Sequence, residues 1–163
     1  MLEKALRLAS EAHLKIYLDL ASFNVVAKNQ SFFKSIIHEY VNILFANEEE
    51  IMALTEKSPE ESAMEFQQDT EVVVIKMGAE GSLCMSRGDM VKIGVRPSKP
   101  VDTTGAGDLY AAGFIYGQIK GYDLETCGKI GAILAGRIIE LEGAKMDESH
   151  WENLRREIKT MEN

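Results

Sequence analysis

The stretch VDTTGAGDLYAAG, residues 101–113, places two glycines and a carboxylate at the start of an apolar, helix-like run. Glycine destabilises regular structure, so Gly105 and Gly107 indicate a point where the backbone approaches another group closely. The first N–H groups of a helix have no intrahelical acceptors, and with the helix dipole they favour anions. The stretch therefore predicts an anion hole formed by the amides of Gly105, Ala106 and Gly107, with Asp108 beside it.

Such an anion hole would suit the negative charge that develops on a phosphoryl group during its transfer. Asp108 would then be placed to accept a proton from an attacking hydroxyl. The residues alone also allow a simpler interpretation, in which an acidic first helical turn follows a flexible glycine-rich loop. Both interpretations stay open at this point.

Apolar runs and amphipathic segments alternate along the rest of the chain. We predict buried strands at 16–20, 41–47 and 71–77, a β-hairpin from 82–86 and 90–95, and helices at 2–13, 30–40, 48–54, 58–68, 108–120, 124–141 and 148–160. Strand-helix alternation predicts an α/β fold with a mainly parallel sheet covered by helices on both faces. Without a repeat or a linker, residues 1–163 are predicted to form a single domain.

Polar and glycine-rich residues follow the predicted strands. They are Asp19, the segment 47–50 and the segment 76–81. Ligands of open α/β sheets bind at the carboxyl ends of the strands. We therefore expect these segments and residues 105–108 to lie toward one edge.

The composition indicates a folded protein of 163 residues, with 45% hydrophobic and 27% charged residues. A net charge of -8 argues against nucleic acid or anionic membranes as partners. The sequence predicts no signal peptide and no membrane span. Cys84 and Cys127 lack metal-ligand spacing, so we expect reduced core thiols in a cytoplasmic protein.

The string DTTGAGD, followed by a helix rich in alanine and glycine, resembles the C-terminal signature of the ribokinase-like (PfkB) carbohydrate and nucleoside kinase family. Residues 47–50 (NEEE) resemble its N-x-x-E motif, 76–81 its nucleotide loop, and 130–145 its small-residue helix ending in Gly-Ala. The resemblance extends over about residues 14–146. FANEEE and TTGAGDLYAAGF are most similar to the adenosine-kinase-like branch.

The resemblance implies a three-layer ribokinase-like sandwich and ATP-dependent phosphoryl transfer to a hydroxyl of a sugar or nucleoside. Asp108 would be the general base, and the amides of Gly105 to Gly107 the anion hole. Asn47 and Glu50 would help to hold Mg²⁺ beside the ATP phosphates. Because N-x-x-E is also a helix capping box, the same pair could serve only to cap a helix.

The resemblance implies three further groups of residues. Lys76, Gly78 and Gly81 would border the nucleotide, although a β-turn and a strand-end charge also explain them. Asp102 and Thr104, with the backbone near Gly143, would hold a monovalent cation such as K⁺. Small residues on the later helix would line the adenine pocket or, alternatively, allow close helix packing; they are Ala132, Ala135 and Gly136.

Members of the family also carry an N-terminal half that this sequence does not resemble. We therefore expect the C-terminal part of a kinase, with an exposed sheet edge that favours self-association and with poor activity on its own. Two alternatives stay open: a nucleotide-binding fragment or regulatory module without turnover, and a structural α/β domain whose glycines serve turns.

Overall fold

The computed structural model describes residues 1–162 and divides them into two compact units. Unit 1 comprises Met1–Gly78 and Leu83–Val91, and unit 2 comprises Ala79–Ser82 and the chain from Lys92 onward. The assignment of residues 1–163 to one domain stays a prediction, and its last residue, Asn163, lies outside the described residues.

Five strands form one sheet whose spatial order follows the sequence. They are β1 (Tyr17–Asp19), β2 (Ile43–Asn47), β3 (Val72–Lys76), β4 (Ser82–Ser86) and β5 (Asp89–Ile93). β1, β2 and β3 are parallel, and their register pairs Asp19 with Phe45 and Asn47 with Lys76. Arg87 and Gly88 join β4 to β5 with positive φ at both positions, as a two-residue hairpin turn requires. The predicted parallel strands and hairpin are confirmed.

Unit 1 contains five helices around a core that includes one face of the sheet. They are α1 (Leu2–Glu11), α2 (Phe23–Lys28), α3 (Gln30–Tyr40), α4 (Glu48–Thr55) and α5 (Pro59–Phe66). Ile37 of α3, Ile51 of α4 and Val73 of β3 are fully buried together in this core. Val74 is also fully buried, so β3 is covered on both faces, as expected of a central parallel strand.

The helix α2 was not predicted from the sequence. Its six residues, FNVVAK, include two valines, and valine has a low helix propensity. Val26 is completely buried in the unit 1 core. Tertiary packing therefore stabilises a helix that the local sequence disfavours.

Unit 2 contains α6 (Ala106–Lys120), α7 (Leu124–Ile138) and α8 (Glu148–Lys159). Small residues bring α6 and α7 close together: a Cβ added to Gly113 would lie 2.9 Å from the Ile130 carbonyl oxygen. A Cβ on Gly131 would lie 2.8 Å from the Tyr110 carbonyl oxygen. Much of the glycine content of these helices thus serves their packing.

Four predicted helix boundaries are wrong: α1 ends at Glu11 and not at residue 13, α5 ends at Phe66 and not at residue 68, and the other two concern α6 and α7. α6 begins at Ala106 and not at Asp108, because Gly105 adopts a left-handed conformation (φ +80°) and forms the N-cap. α7 ends at Ile138 and not at residue 141. The Ile139 carbonyl oxygen instead accepts the amides of Val101 and Asp102, at 2.7 and 3.2 Å.

Both cysteines are buried, as predicted for core thiols, and the reduced state stays a prediction. Burial raises the pKa of the Cys127 thiol to about 11. Within residues 1–162, the helices fall short of the length and apolar character that a membrane-spanning segment needs.

Candidate active site

The last residues of the three parallel strands form a polar cluster in unit 1. Asp19 ends β1, Asn47 ends β2 and Lys76 ends β3. The Lys76 ammonium donates a hydrogen bond of 2.7 Å to Oδ2 of Asp19, although the two residues are 57 positions apart in the sequence. This pair lies at the edge of a parallel sheet where α/β proteins bind their ligands.

Asn47 and Glu50 form the capping box at the start of α4. Oδ1 of Asn47 accepts the amide of Glu50 at 2.8 Å, and Oε2 of Glu50 accepts the amide of Asn47 at 2.8 Å. Glu50 is only 4% exposed. Burial raises the pKa of its carboxyl and outweighs the hydrogen bond from the Asn47 amide, while the Asp19 carboxylate raises the pKa further and the Lys76 ammonium lowers it. The capping alternative is therefore present in the structure.

The donor chemistry of this cluster fits Mg²⁺. A buried carboxylate whose charged form is disfavoured would be stabilised by a bound cation. No group of three or more His, Cys, Asp or Glu side chains in the described part of the chain could hold a metal ion. Mg²⁺ commonly uses one or two carboxylates together with substrate phosphates and water. Asn47 and Glu50 could supply the protein's share of such a coordination shell, and their use in capping does not exclude this.

The two glycines of segment 76–81 differ in their surroundings. Gly78 has φ +53°, and an added Cβ would meet nothing within 4 Å. Gly81 has φ +92°, and its Cβ would lie 2.0 Å from the Ile93 carbonyl oxygen. Packing against β5 thus explains Gly81, whereas the space beside Gly78 is open to a ligand. Between them, Gly78–Glu80 form a short 3-10 turn.

The glycine-rich segment of unit 2 is tightly fixed around Gly105. An added Cβ there would lie 2.8 Å from the Cβ of Ala144. The amide of Ala106 donates to the carbonyl oxygen of Thr103 at 3.1 Å, so one of the three predicted anion-hole donors is engaged in a turn. Gly107 and Asp108 lie in the first turn of α6, where N–H groups lack intrahelical acceptors. The side chain of Asp108 is exposed.

Asp102 fastens this segment to the loop that follows α7. Its Oδ1 accepts the amide of Thr104, and its Oδ2 accepts the amide of Gly143, both at 2.9 Å. Hydrogen bonds from Thr104 and from the Gly143 amide hold the pKa of the Asp102 carboxyl below its usual value. Asp102 and the backbone near Gly143 thus lie together, as the resemblance implies. The binding of a monovalent cation by Asp102 and Thr104 stays a prediction.

The small residues of α7 lie beside an arginine. A Cβ added to Gly136 would lie 2.8 Å from the Cβ of Arg96. Arg96 is held there by Glu157 of α8, at 3.3 Å, and by Glu140, at 3.5 Å. Packing therefore accounts for Gly136 in this conformation. Ala132 is half-buried on the same helix, and the adenine pocket stays a prediction.

Sequence analysis did not assign Asp19 to the candidate site. Its position at a strand end was recognised, but its ion pair with Lys76 was not. The strand order could have indicated it, because β2 alone separates the ends of β1 and β3.

Several kinases are similar to this chain in sequence or in structure. A nucleoside kinase of Methanocaldococcus jannaschii is 32% identical over 124 residues, which cover 72% of this chain and 39% of the relative. An uncharacterized sugar kinase of Archaeoglobus fulgidus is 47% identical over 77 residues, which cover 46% of this chain and 30% of the relative.

The crystal structure of adenosine kinase from Sinorhizobium meliloti superposes with a TM-score of 0.86 at 31% identity. The match covers 94% of this chain and 48% of that one, and it confirms the predicted fold class. The chain thus spans about half the length of this solved structure, and less of the two curated relatives. Residues 2–151 match the sequence model of the pfkB family of carbohydrate kinases. Because that match takes in most of the sequence, this chain belongs to the pfkB family of carbohydrate kinases.

Proposed function

We propose that this chain supplies the ATP-binding and catalytic-base residues for phosphoryl transfer from ATP to a hydroxyl of a sugar or nucleoside. The observation that carries the proposal is the turn at Gly105. A left-handed glycine, packed on Ala144, caps α6, whose first three residues are Ala106, Gly107 and Asp108. Side-chain-free backbone at a helix start is suited to a phosphoryl group.

In unit 2, Asp108 acts as the general base that takes the proton of the acceptor hydroxyl. Its exposed side chain is accessible to a substrate. The amides at the start of α6, from Gly105 to Gly107, stabilise the charge that develops on the transferred group. Asp102 and Thr104 hold K⁺ or a similar monovalent cation near this loop. Through its two backbone contacts, Asp102 also fixes the shape of the segment.

In unit 1, Asn47 and Glu50 hold Mg²⁺, in part through water. The ion neutralises charge on the ATP phosphates when it is bound. The Lys76 ammonium and the open backbone at Gly78 border the nucleotide.

In unit 2, Gly81 fixes the end of the nucleotide loop by its packing on Ile93. We propose Ala132 and Gly136 of α7 for an adenine pocket, which requires the side chain of Arg96 to move away from Gly136.

The acceptor is a small molecule, because the relatives carry the names nucleoside kinase, sugar kinase and adenosine kinase. We infer that the reaction takes place in the cytoplasm, where two buried free thiols stay reduced. We also propose self-association of the chain through the edge of the sheet at β1.

A second candidate function is binding of Mg-nucleotide without turnover. It is favoured by the hydrogen bond from the Ala106 amide to the Thr103 carbonyl oxygen, which occupies one of the three proposed anion-hole donors. The two functions differ in one measurable respect. Only a kinase releases ADP in response to an acceptor.

The test is ADP release from Mg-ATP with a panel of sugars and nucleosides, for the wild type and for Asp108→Asn. We expect at least roughly a hundredfold loss of turnover in the variant, because general base catalysis contributes about 10² to 10⁴. Its affinity for Mg-ADP should be unchanged. Glu125→Gln is the matched control, since Glu125 is an exposed carboxylate in the first turn of α7. Turnover that survives in Asp108→Asn would contradict the proposed base, and binding without any turnover would favour the second candidate.

A further inference from the structure

We propose that Asp19 is a positioning residue: it holds the Lys76 ammonium in the place where that ammonium contacts the nucleotide phosphates. The inference rests on the proposed function, because it takes Lys76 to be a nucleotide ligand. It adds a residue that neither the motifs nor the comparisons assign.

The pairing spans three strands at their carboxyl ends. Asp19 is aligned with Phe45 of β2, and Lys76 is aligned with Asn47 two residues farther along the same strand. The lysine side chain therefore crosses the end of β2 to reach Oδ2 of Asp19 at 2.7 Å. In this conformation the ammonium lies at the sheet edge and does not extend freely into solvent.

The ion pair is largely withdrawn from water. The side chain of Lys76 is 16% exposed and that of Asp19 is 30% exposed. An ammonium carries three N–H donors. Within the described residues, the Lys76 ammonium uses one of these donors, in its hydrogen bond to Asp19. Two donors are therefore left for an anionic ligand.

The backbone beside Asp19 fixes the orientation of its carboxylate. Oδ1 accepts the amide of Ala21 at 3.3 Å, which leaves Oδ2 for the lysine. Ala21 has φ +62°, a left-handed conformation that is costly for a residue with a Cβ. Such conformations persist where the surrounding structure requires them, and they are concentrated at functional sites.

The consequence for binding is a smaller entropic cost. A lysine side chain has four rotatable bonds and loses conformational entropy when a ligand immobilises it. Asp19 immobilises Lys76 before the nucleotide arrives. It also supplies a counter-ion, so that the part-buried ammonium is not left unpaired when the nucleotide is absent.

The experiment measures Mg-ADP and adenosine affinities by calorimetry for the wild type, Asp19→Asn, Lys76→Met and the double variant. Asparagine keeps the shape and the acceptor for the Ala21 amide but removes the charge. We expect Asp19→Asn to weaken Mg-ADP binding about tenfold, which corresponds to 1.4 kcal/mol, with adenosine binding unchanged. The double variant should bind Mg-ADP no more weakly than Lys76→Met, because Asp19 acts only through the lysine.

The matched control is Glu71→Gln. Glu71 pairs with Lys15 at 2.6 Å, and these two residues precede β3 and β1, so this ion pair joins the same strands at their opposite ends. We expect Glu71→Gln to leave Mg-ADP binding unchanged. Thermal unfolding of each variant verifies that it is folded. If Asp19→Asn does not fold, Asp19→Glu takes its place: it keeps the charge, moves the ammonium, and should weaken Mg-ADP binding without affecting adenosine.

Each other result overturns the inference. Unchanged Mg-ADP affinity in the Asp19 variant would show that the ion pair does not position the lysine. Losses that add in the double variant would show that Asp19 acts independently of Lys76. An equal loss of adenosine binding would indicate a general structural defect. A folded wild type that binds no Mg-ADP would overturn the proposed function and, with it, this inference.

Discussion

At the scale of single residues, Glu50 both caps a helix and places a carboxyl group in the protein interior. Its carboxylate accepts the amide of Asn47 at 2.8 Å and so caps α4, yet it is buried at 4% exposure. Burial disfavours the charged form, which raises the carboxyl pKa. Such a carboxylate gains from a cation, and this is the physical reason for proposing Mg²⁺ here.

The raised pKa of Glu50 predicts a specific pH dependence. A carboxyl whose pKa is higher in the folded than in the unfolded state stabilises the fold most below its unfolded pKa, about 4.3. That contribution is lost as the pH rises through the folded pKa. Relative to Glu50→Gln, the wild type should therefore lose free energy of unfolding between pH 4 and pH 7, as measured by urea denaturation without Mg²⁺. A difference that stays constant or grows with pH would contradict this.

At the scale of elements, α6 and α7 are held together through glycines. A Cβ on Gly113 would lie 2.9 Å from the Ile130 carbonyl oxygen and 3.0 Å from the Cα of Gly131. Both contacts are to backbone, which cannot rotate away as a side chain can. The spacing of these two helices therefore depends on the absence of a side chain at this position.

Gly113→Ala should lower the free energy of unfolding by about 1–3 kcal/mol, the typical cost of overpacking. Gly94→Ala is the control, because a Cβ there would meet nothing within 4 Å. We expect that variant to stay within about 0.5 kcal/mol of the wild type. Equal stability of the two variants in urea would show that the helices can separate at no cost.

Elements also show where sequence reasoning succeeds and fails. β3 was predictable because VVVIK is a β-branched apolar run whose residues are almost all buried. The end of α7 was not, because Ile139 and Leu141 continue the apolar pattern while the Ile139 carbonyl oxygen bonds to a segment far away in the sequence. The close backbone approach at Gly105 was predicted from its motif, but the helix start that its left-handed conformation sets at Ala106 was not. The ion pair of Asp19 with Lys76 was missed because it depends on the order of strands in space.

At the scale of the whole molecule, β1 is an edge strand. Among the described residues it pairs with β2 and lies at the end of the sheet. The backbone groups of Ile16 and Leu20 bond to the β2 side, so alternation turns those of Tyr17 and Asp19 outward. Leu14 and Phe23, which flank this strand, are 61% and 46% exposed. Unpaired strand edges with apolar surroundings favour association with another chain.

We expect concentration-dependent self-association of the chain in sedimentation velocity, and its reduction in Tyr17→Pro. Proline removes an outward-facing N–H donor and leaves the hydrogen bonds between β1 and β2 in place. Surface substitution elsewhere, such as Lys57→Gln, should leave association unchanged. A chain that is monomeric at every concentration, or a proline variant that associates equally, would contradict the role of β1.

The central claim is that the Gly105 turn is a phosphate cradle, and calorimetric titration of Mg-ADP into two alanine variants tests it most directly. Gly105 and Gly121, at the two ends of α6, have φ values of +80° and +78°. Alanine is therefore strained at both, but only at Gly105 would its Cβ meet Ala144, at 2.8 Å. We predict saturable binding by the wild type and Gly121→Ala, and binding at least about tenfold weaker, or 1.4 kcal/mol, in Gly105→Ala. Equal affinities in the two folded variants, or no binding by the folded wild type, would contradict the claim.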